Sequence, residues 1–392
     1  MRKKKILFRI IFSIFFILLT GILSGICSSA ADIEEEAEYS EKIEESVMRN
    51  FDFQEIDKVM EDLFPEEKLH FKDMVRALEK GDIADALYVV KCLVKDRAAY
   101  AFRINKRNLV QILLLAIASA VFTNFSSVFQ NKQVSEISFY VLYLLLIAIC
   151  LSSFQASVDW VNDGVDTLTT FMEVLGPVFF LAVAIARGSV TSVAFYNLML
   201  LVIFIIELFV LKFLIPSVHV YIMVRVLNFL SGEDYLSKFA ELIETLITWV
   251  LKTMLACMAG LQFIQGLIAP AIDALRRSAL TKGAEAIPGI GDVIGGVTEV
   301  VLGTAILVKN SIGIAGMIVC ILLCVGPLVQ MAVMVLMYKL AAAFVQPISD
   351  KRMVNCIESV GEGCKLLMRI IFTVGVLFLL TIAIAAASTG RV

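Results

Sequence analysis

The chain of 392 residues is strongly apolar, with 59% hydrophobic residues and a mean hydropathy of +0.87. Apolar runs of about 20 residues, long enough to cross a hydrocarbon core, recur from residue 108 to the C-terminus. The net charge of -3 and the absence of a concentrated basic segment argue against nucleic-acid binding. Composition therefore predicts an all-α, polytopic helical membrane protein.

The first 31 residues have the order of a cleavable signal peptide. Basic residues precede a long apolar run at 6–26, and small residues precede an acidic segment that begins at Asp32. This order predicts cleavage near Ala30 or Ala31. Because the apolar run exceeds the usual length of about 7–15 residues, an uncleaved signal anchor is the alternative.

Residues 32–107 are predicted to form a small extracytoplasmic domain. Their apolar side chains recur at three- and four-residue intervals, which indicates about three amphipathic helices. A segment this short buries little surface, so we expect it to pack on the membrane part or on a partner. Cys92 is its single cysteine, which excludes an internal disulfide.

Residues 108–392 are the predicted polytopic membrane domain. The apolar runs predict eight crossings, at 108–129, 137–157, 167–186, 190–214, 246–270, 288–308, 312–336 and 367–388. In the alternative topology, the sixth segment re-enters the membrane instead of crossing it.

A faint internal repeat relates residues 137–245 to residues 246–366. Short matches recur at a shift of about 112 residues and in the same order, among them the prolines Pro216 and Pro327. The equivalent connections carry opposite charge, which by the positive-inside rule places them on opposite sides of the membrane. The acidic connections contain Asp159, Asp163, Asp166, Glu233, Asp234, Glu241 and Glu244, and the basic ones contain Arg276, Arg277, Lys282, Lys339, Lys351, Arg352, Lys365 and Arg369. This pattern predicts inverted repeats of three crossings, an architecture common in transporters and channels.

Within this domain, the segment IPGIGDVIGGVTEVVLGTAILV at 287–308 combines glycines with two acids. Asp292 and Glu299 lie seven residues apart, hence on one helix face, and this face must avoid lipid. They either line a polar pathway or pair with a base such as Lys252, and the glycines favour close helix packing. The candidate pathway or packing residues are Asp292, Glu299, Gly291, Gly295, Gly303, Lys252 and Glu207, the last expected to pair with Lys212. The candidate helix breaks are Gly176, Pro177, Pro216, Pro288, Gly289 and Pro327.

Signatures of an enzyme are missing from the sequence. The two histidines, His70 and His219, are far apart, and the glycines of PGIGDVIGG do not have the dinucleotide-binding spacing. Cys320 and Cys324 lie one helical turn apart in an apolar run, where packing is the expected role. We therefore predict no catalytic residues, no cofactor and no metal.

Residues 266–316, GLIAPAIDALRRSALTKGAEAIPGIGDVIGGVTEVVLGTAILVKNSIGIAG, resemble the stage III sporulation protein AE family of endospore-forming bacteria. The Gly326-Pro327 pair, the QPISD motif at 346–350 and FDFQEI at 51–56 are also similar, so the resemblance extends over the chain.

The resemblance implies an integral-membrane subunit of a channel-like or secretion-like complex between mother cell and forespore, needed for forespore development. Its implied partners are the other stage III sporulation A-operon proteins and, across the intermembrane space, the forespore protein Q. The implied location is the mother-cell-derived membrane around the forespore, with the N-terminal domain in the intermembrane space. A non-conducting scaffold that docks ring-forming partners and a stand-alone inverted-repeat transporter are the alternatives.

Overall fold

The computed structural model describes residues 54–63, 71, 75, 84–126, 132–186, 189–231, 235–284 and 291–387. These residues are helical except for turns at 235–236 and 346–350. The helices are α1 (Gln54–Leu63), α2 (Ala84–Ser126), α3 (Lys132–Ala186), α4 (Ser189–Ile205), a π-helical segment (Ile206–Leu214), α5 (Ile215–Ser231), α6 (Ser237–Ala284), α7 (Gly291–Val345) and α8 (Lys351–Ala387). The all-α prediction is confirmed for the described residues, and the predicted signal peptide lies outside them.

Five stretches of the described helices are long and apolar enough to cross a membrane: Phe139–Ala186, Ser192–Phe229, Ser237–Leu261, Gly303–Val345 and Lys351–Ala383. A bent pair in α2, Ala98–Ile104 and Leu109–Val121, could add a sixth. The sequence predicted eight crossings. The numbers differ because the predicted crossings 137–157 and 167–186 are one continuous helix, α3, and 312–336 continues what was predicted as a separate sixth crossing within α7.

The candidate helix breaks have different outcomes. Gly176 and Pro177 lie inside α3, and Pro327 lies inside α7, so none of these three residues ends a helix. A proline removes one backbone donor, and in apolar surroundings the rest of the helix keeps its own hydrogen bonds because no better partner is available. Pro216 does mark a change, since it follows the π-helical segment, and Pro288 and Gly289 lie outside the described residues.

The centre of the fold is a bundle of α3, α7 and α8. α8 runs parallel to α3, because Cys364 Sγ is 3.8 Å from Ser157 Oγ and the later residue Ile371 lies beside Gly164. α7 runs antiparallel to both helices. The buried side chains along these contacts are almost all aliphatic, aromatic or cysteine, as expected for a core that is covered on every side.

The connections after α5 and before α8 lie at the same end of the bundle. The Tyr143 hydroxyl donates to the Val226 carbonyl oxygen at 3.4 Å, and the Tyr143 ring stacks on Phe139. The guanidinium carbon of Arg352 lies 4.8 Å from the centre of the same Phe139 ring. The acidic connection that begins near Glu233 and the basic one at Lys351 were predicted on opposite sides of the membrane.

The described helices do not show the predicted inverted repeat. Because α7 is a single helix, only α6 and α7 separate the two connections, and an even number of antiparallel helices returns the chain to the same end. Asp159, Asp163 and Asp166, predicted to lie in a connection, are inside α3. The two connections carry opposite charge, yet both lie at the same end of the bundle.

The described part of the N-terminal region packs on the membrane helices. Ile56 and Met60, one turn apart on α1, are buried together with Phe71 and Val75, and α1 contacts α3. The backbone N–H of Phe71 donates to Asp57 Oδ1 at 2.6 Å, which holds Phe71 beside α1. A region with so few residues thus gains its burial from α3.

Asn228 fixes the turn between α5 and α6, since its buried side-chain oxygen accepts the backbone N–H of Leu236 at 2.7 Å. We expect Asn228→Ala to lower the free energy of unfolding by about 1–2 kcal/mol, because the part-buried hydrogen bond that holds the turn is lost. Thermal unfolding of the purified protein in detergent measures this change. Asn197→Ala, at an exposed site on α4, is the matched control and should have almost no effect. Equal melting temperatures for both variants would contradict the assigned role.

Candidate functional site: an acidic stripe on a membrane-length helix

A row of polar residues follows one face of α3. Asp159, Asp163, Asp166 and Glu173 are separated by four, three and seven residues, the spacing that keeps side chains on one side of an α-helix. All four carboxylates are exposed. We call this row the acidic stripe and include in it the exposed polar residues between and beside the acids: Gln155, Asp159, Asp163, Asp166, Thr170 and Glu173.

The opposite face of the same part of α3 is mainly apolar and buried. Val158, Val161, Val165, Leu168 and Met172 are at most 3% exposed and pack in the core of the bundle. This core side orients α3 and leaves the acidic stripe on the outside. Ionised side chains in contact with lipid are very unfavourable, so the stripe must meet water or a polar protein surface.

The acids of α3 lie close to a further acid on the neighbouring helix. Asp166 is within electrostatic range of both Asp163 and Glu207, and the latter belongs to the π-helical segment. On α5, His219 lies near Asp159 and makes an edge-to-face contact with the Phe154 ring at 5.3 Å between centres. The neighbouring carboxylates repel one another, so their arrangement favours contact with water or with a cationic partner.

The π-helical segment carries both Glu207 and Lys212. In this segment the backbone N–H of Ile215 donates to the Val210 carbonyl, five residues earlier, which widens each turn. The π-helical segment ends at Leu214, two residues before Pro216, which has no N–H to donate. Both charged side chains are exposed, and although their side chains are described, no ion pair joins them, contrary to the prediction.

The other predicted site residues are only partly described. Gly291, Gly295, Asp292 and Glu299 belong to the first turns of α7, and the side chains of the two acids lie outside the described part. The predicted pairing of these acids with Lys252, which is exposed on α6, therefore stays a prediction. Gly303 is exposed, and a Cβ atom added to it would meet no atom within 4 Å, so it makes no close helix contact with the described residues.

The packing glycines are others, which the sequence prediction missed. A Cβ at Gly164 would lie 2.9 Å from Cγ and 3.0 Å from Cβ of Pro327. A Cβ at Gly316 would lie 2.8 Å from a methyl group of Leu175, and one at Gly375 would lie 2.5 Å from Cys324 Sγ. These glycines allow α3, α7 and α8 to approach closely. Their sequence signal, a small residue on an apolar helix, is the same as that of Gly303.

The structure also places the cysteines. Cys150, Cys320, Cys324, Cys356 and Cys364 are buried and free, which agrees with the predicted packing role, whereas Cys257 is exposed. Across the part of the chain that the structure describes, no group of three or more His, Cys, Asp or Glu side chains is arranged to hold a metal ion.

Comparison with known proteins identifies the family. The family model described as "Stage III sporulation protein AE" matches residues 69–389, which is more than half of the chain. The "Stage III sporulation protein AE" of Bacillus subtilis (strain 168) is 21% identical over 365 residues, covering 91% of this chain and 90% of that protein. No solved structure matches the chain significantly. The acidic stripe, the π-helical segment and the first half of α7 all lie within the matched region, and the chain belongs to the stage III sporulation protein AE family.

Proposed function

We propose that this protein is an integral-membrane subunit of the sporulation channel, or secretion-like complex, that links mother cell and forespore. Its partners would be the other stage III sporulation A-operon proteins and the forespore protein Q. The protein would lie in the mother-cell-derived membrane around the forespore, with its N-terminal region in the intermembrane space. Membership of the stage III sporulation protein AE family and the membrane-length apolar helices support this proposal.

The acidic stripe is the observation that carries the proposal. Four carboxylates follow one face of a helix whose other side is buried in an apolar core. Such a face needs water or a polar partner, and a subunit of a conducting or secreting complex offers both. Glu207, in the neighbouring π-helical segment, adds a further acid beside the stripe. Turns of π-helix are frequent at functional sites, which also supports a role for this region.

A second function, a non-conducting scaffold, is favoured by one observation. The acids of the stripe and Glu207 form a surface of one sign, which suits a basic docking partner as well as a pathway. The two functions differ in whether water reaches the stripe after assembly. A stand-alone transporter is less favoured, because the described helices do not show the inverted repeat that motivated it.

Labelling of introduced cysteines separates these possibilities. In a background in which the exposed Cys257 is replaced by serine, Thr170→Cys and Gln155→Cys place a thiol on the stripe. Leu144→Cys and Leu201→Cys are the controls, because both residues are exposed and apolar. We expect a membrane-impermeant maleimide to modify the stripe positions at least about tenfold faster than the controls, since thiols react as solvated thiolates.

The result in the assembled complex decides between pathway and scaffold. Stripe thiols that remain reactive when all partners are present support the pathway, and thiols that become protected only with partners support the scaffold. Equal, slow reaction at stripe and control positions, with and without partners, would overturn the proposal. Gly295→Cys in the same series tests whether the predicted segment 287–308 shares the polar surface.

A further inference from the structure

Lys309 is a charged side chain enclosed in the core of the bundle. It lies within α7, in the membrane-length stretch Gly303–Val345, and its exposed fraction is 0%. Burying a lysine is costly unless the amine finds hydrogen-bond acceptors, so its position requires a specific partner. In the sequence, Lys309, Asn310 and Ser311 look like a polar connection between two crossings, and the structure places them within one helix.

One partner of Lys309 is the end of the last helix. Lys309 Nζ donates to the Ala386 carbonyl oxygen at 3.1 Å, and α8 ends one residue later, at Ala387. The last carbonyl groups of an α-helix have no intrahelical donor, and this end of the helix carries partial negative charge. A lysine amine satisfies both conditions at once.

The same alanine is also held sterically. Gly313 lies one helical turn after Lys309 on α7, and a Cβ added to it would be 3.1 Å from Ala386 Cβ and 3.3 Å from the Phe179 ring. Lys309 therefore binds the carbonyl of Ala386 while Gly313 makes room for its methyl group. Two residues with the correct helical spacing act on one residue of α8.

We propose that Lys309 is a positioning residue that fixes the C-terminal turn of α8 against α7 and α3. Gly313 contributes by leaving space for the Ala386 methyl group. This inference does not depend on the proposed function, since it concerns how the last helix is held within the chain. Lys309 acts mainly through its hydrogen bond and less through the space that its side chain fills. A substitution that removes the donor but keeps the length of the side chain separates the hydrogen bond from the packing.

Hydrogen exchange of the full-length protein in lipid nanodiscs, read by mass spectrometry, tests this inference. Lys309→Met keeps a long side chain and removes the donor, so we expect exchange in residues 377–387 to become about tenfold faster. Exchange at the start of α8, near Lys351, should not change. Met334→Leu, a volume-conserving change at another buried site of α7, is the control and should leave residues 377–387 unaffected.

Two further variants keep the test decisive if Lys309→Met does not accumulate. Lys309→Arg retains a donor and should protect residues 377–387 better than Lys309→Met does. Gly313→Ala should displace Ala386 and accelerate exchange in the same residues although Lys309 is present. Unchanged exchange in Lys309→Met, or in Gly313→Ala if the former is not obtained, overturns the inference, and so does equal exchange in the arginine and methionine variants.

Discussion

Replacing Asp159, Asp163 and Asp166 together by asparagine is expected to reduce the yield of heat-resistant spores about tenfold or more. A hydrogen bond to a charged group contributes about 1.5–3 kcal/mol, and the stripe offers several such groups to a partner or to water. The level of protein in the membrane should not fall, because the three side chains are exposed and removing like charges relieves their repulsion. Spore counts and immunoblots of the membrane fraction measure the two quantities.

The control is a set of acids outside the stripe. Glu241, Glu244 and Glu358 lie on α6 and α8, and their replacement by glutamine removes the same number of charges. This control should sporulate normally. A parallel loss of protein and spores in the asparagine variant would indicate a structural role, and normal sporulation would remove the stripe from the proposed function.

Gly164→Ala and Gly260→Ala, the same change in two helices, are expected to act in opposite directions. At Gly164 the new methyl group would meet the rigid ring of Pro327 at 2.9 Å, so α3 and α7 must separate. Overpacking of this kind costs about 1–3 kcal/mol, which exceeds the gain of about 1 kcal/mol from replacing a helical glycine. The net result is a loss of up to about 2 kcal/mol in the free energy of unfolding.

At Gly260, on α6, an added Cβ meets no atom within 4 Å, so only the helical gain remains. This variant should be more stable than the natural protein by up to about 1 kcal/mol. Thermal unfolding in detergent, followed by a thiol-reactive dye, compares both variants. If Gly164→Ala melts at or above the temperature of Gly260→Ala, the close contact with Pro327 is not what holds the two helices together.

The helical class and the apolar core follow from the sequence, whereas the number of helices does not. Pro177 and Pro327 were predicted as helix breaks on their local chemistry, yet both lie inside continuous helices. Whether a helix continues past a proline depends on what surrounds it, because apolar surroundings offer the freed backbone groups no better partner. Lys309 lies between two predicted crossings but is inside α7, and a sequence does not show that a neighbouring helix end will accept a hydrogen bond from its amine.

The candidate site was predicted in fragments. The sequence predicts Glu207 as a candidate site residue, but it places the three aspartates of the stripe in a connection between two crossings. Their common face exists only because α3 continues past Asp166, which local composition does not determine. The contact of Gly164 with Pro327 joins residues far apart in the chain, so no local pattern could have distinguished this glycine from the exposed Gly303.

The continuity of α3 has a consequence for where the protein can stand in a bilayer. Its 55 residues extend over about 82 Å at about 1.5 Å per residue. A hydrocarbon core of about 30 Å accommodates only about 40 Å of helix even at the largest usual tilt of about 40°. About half of α3 must therefore stand outside the core of the membrane.

Both ends of α3 carry exposed apolar side chains. Ile137 and Val141 are 65% and 60% exposed near one end, and Leu181, about 66 Å away along the helix, is 37% exposed near the other. Lipid tails can cover one end only. Exposed apolar residues outside the hydrocarbon core are typical of surfaces that bind another protein.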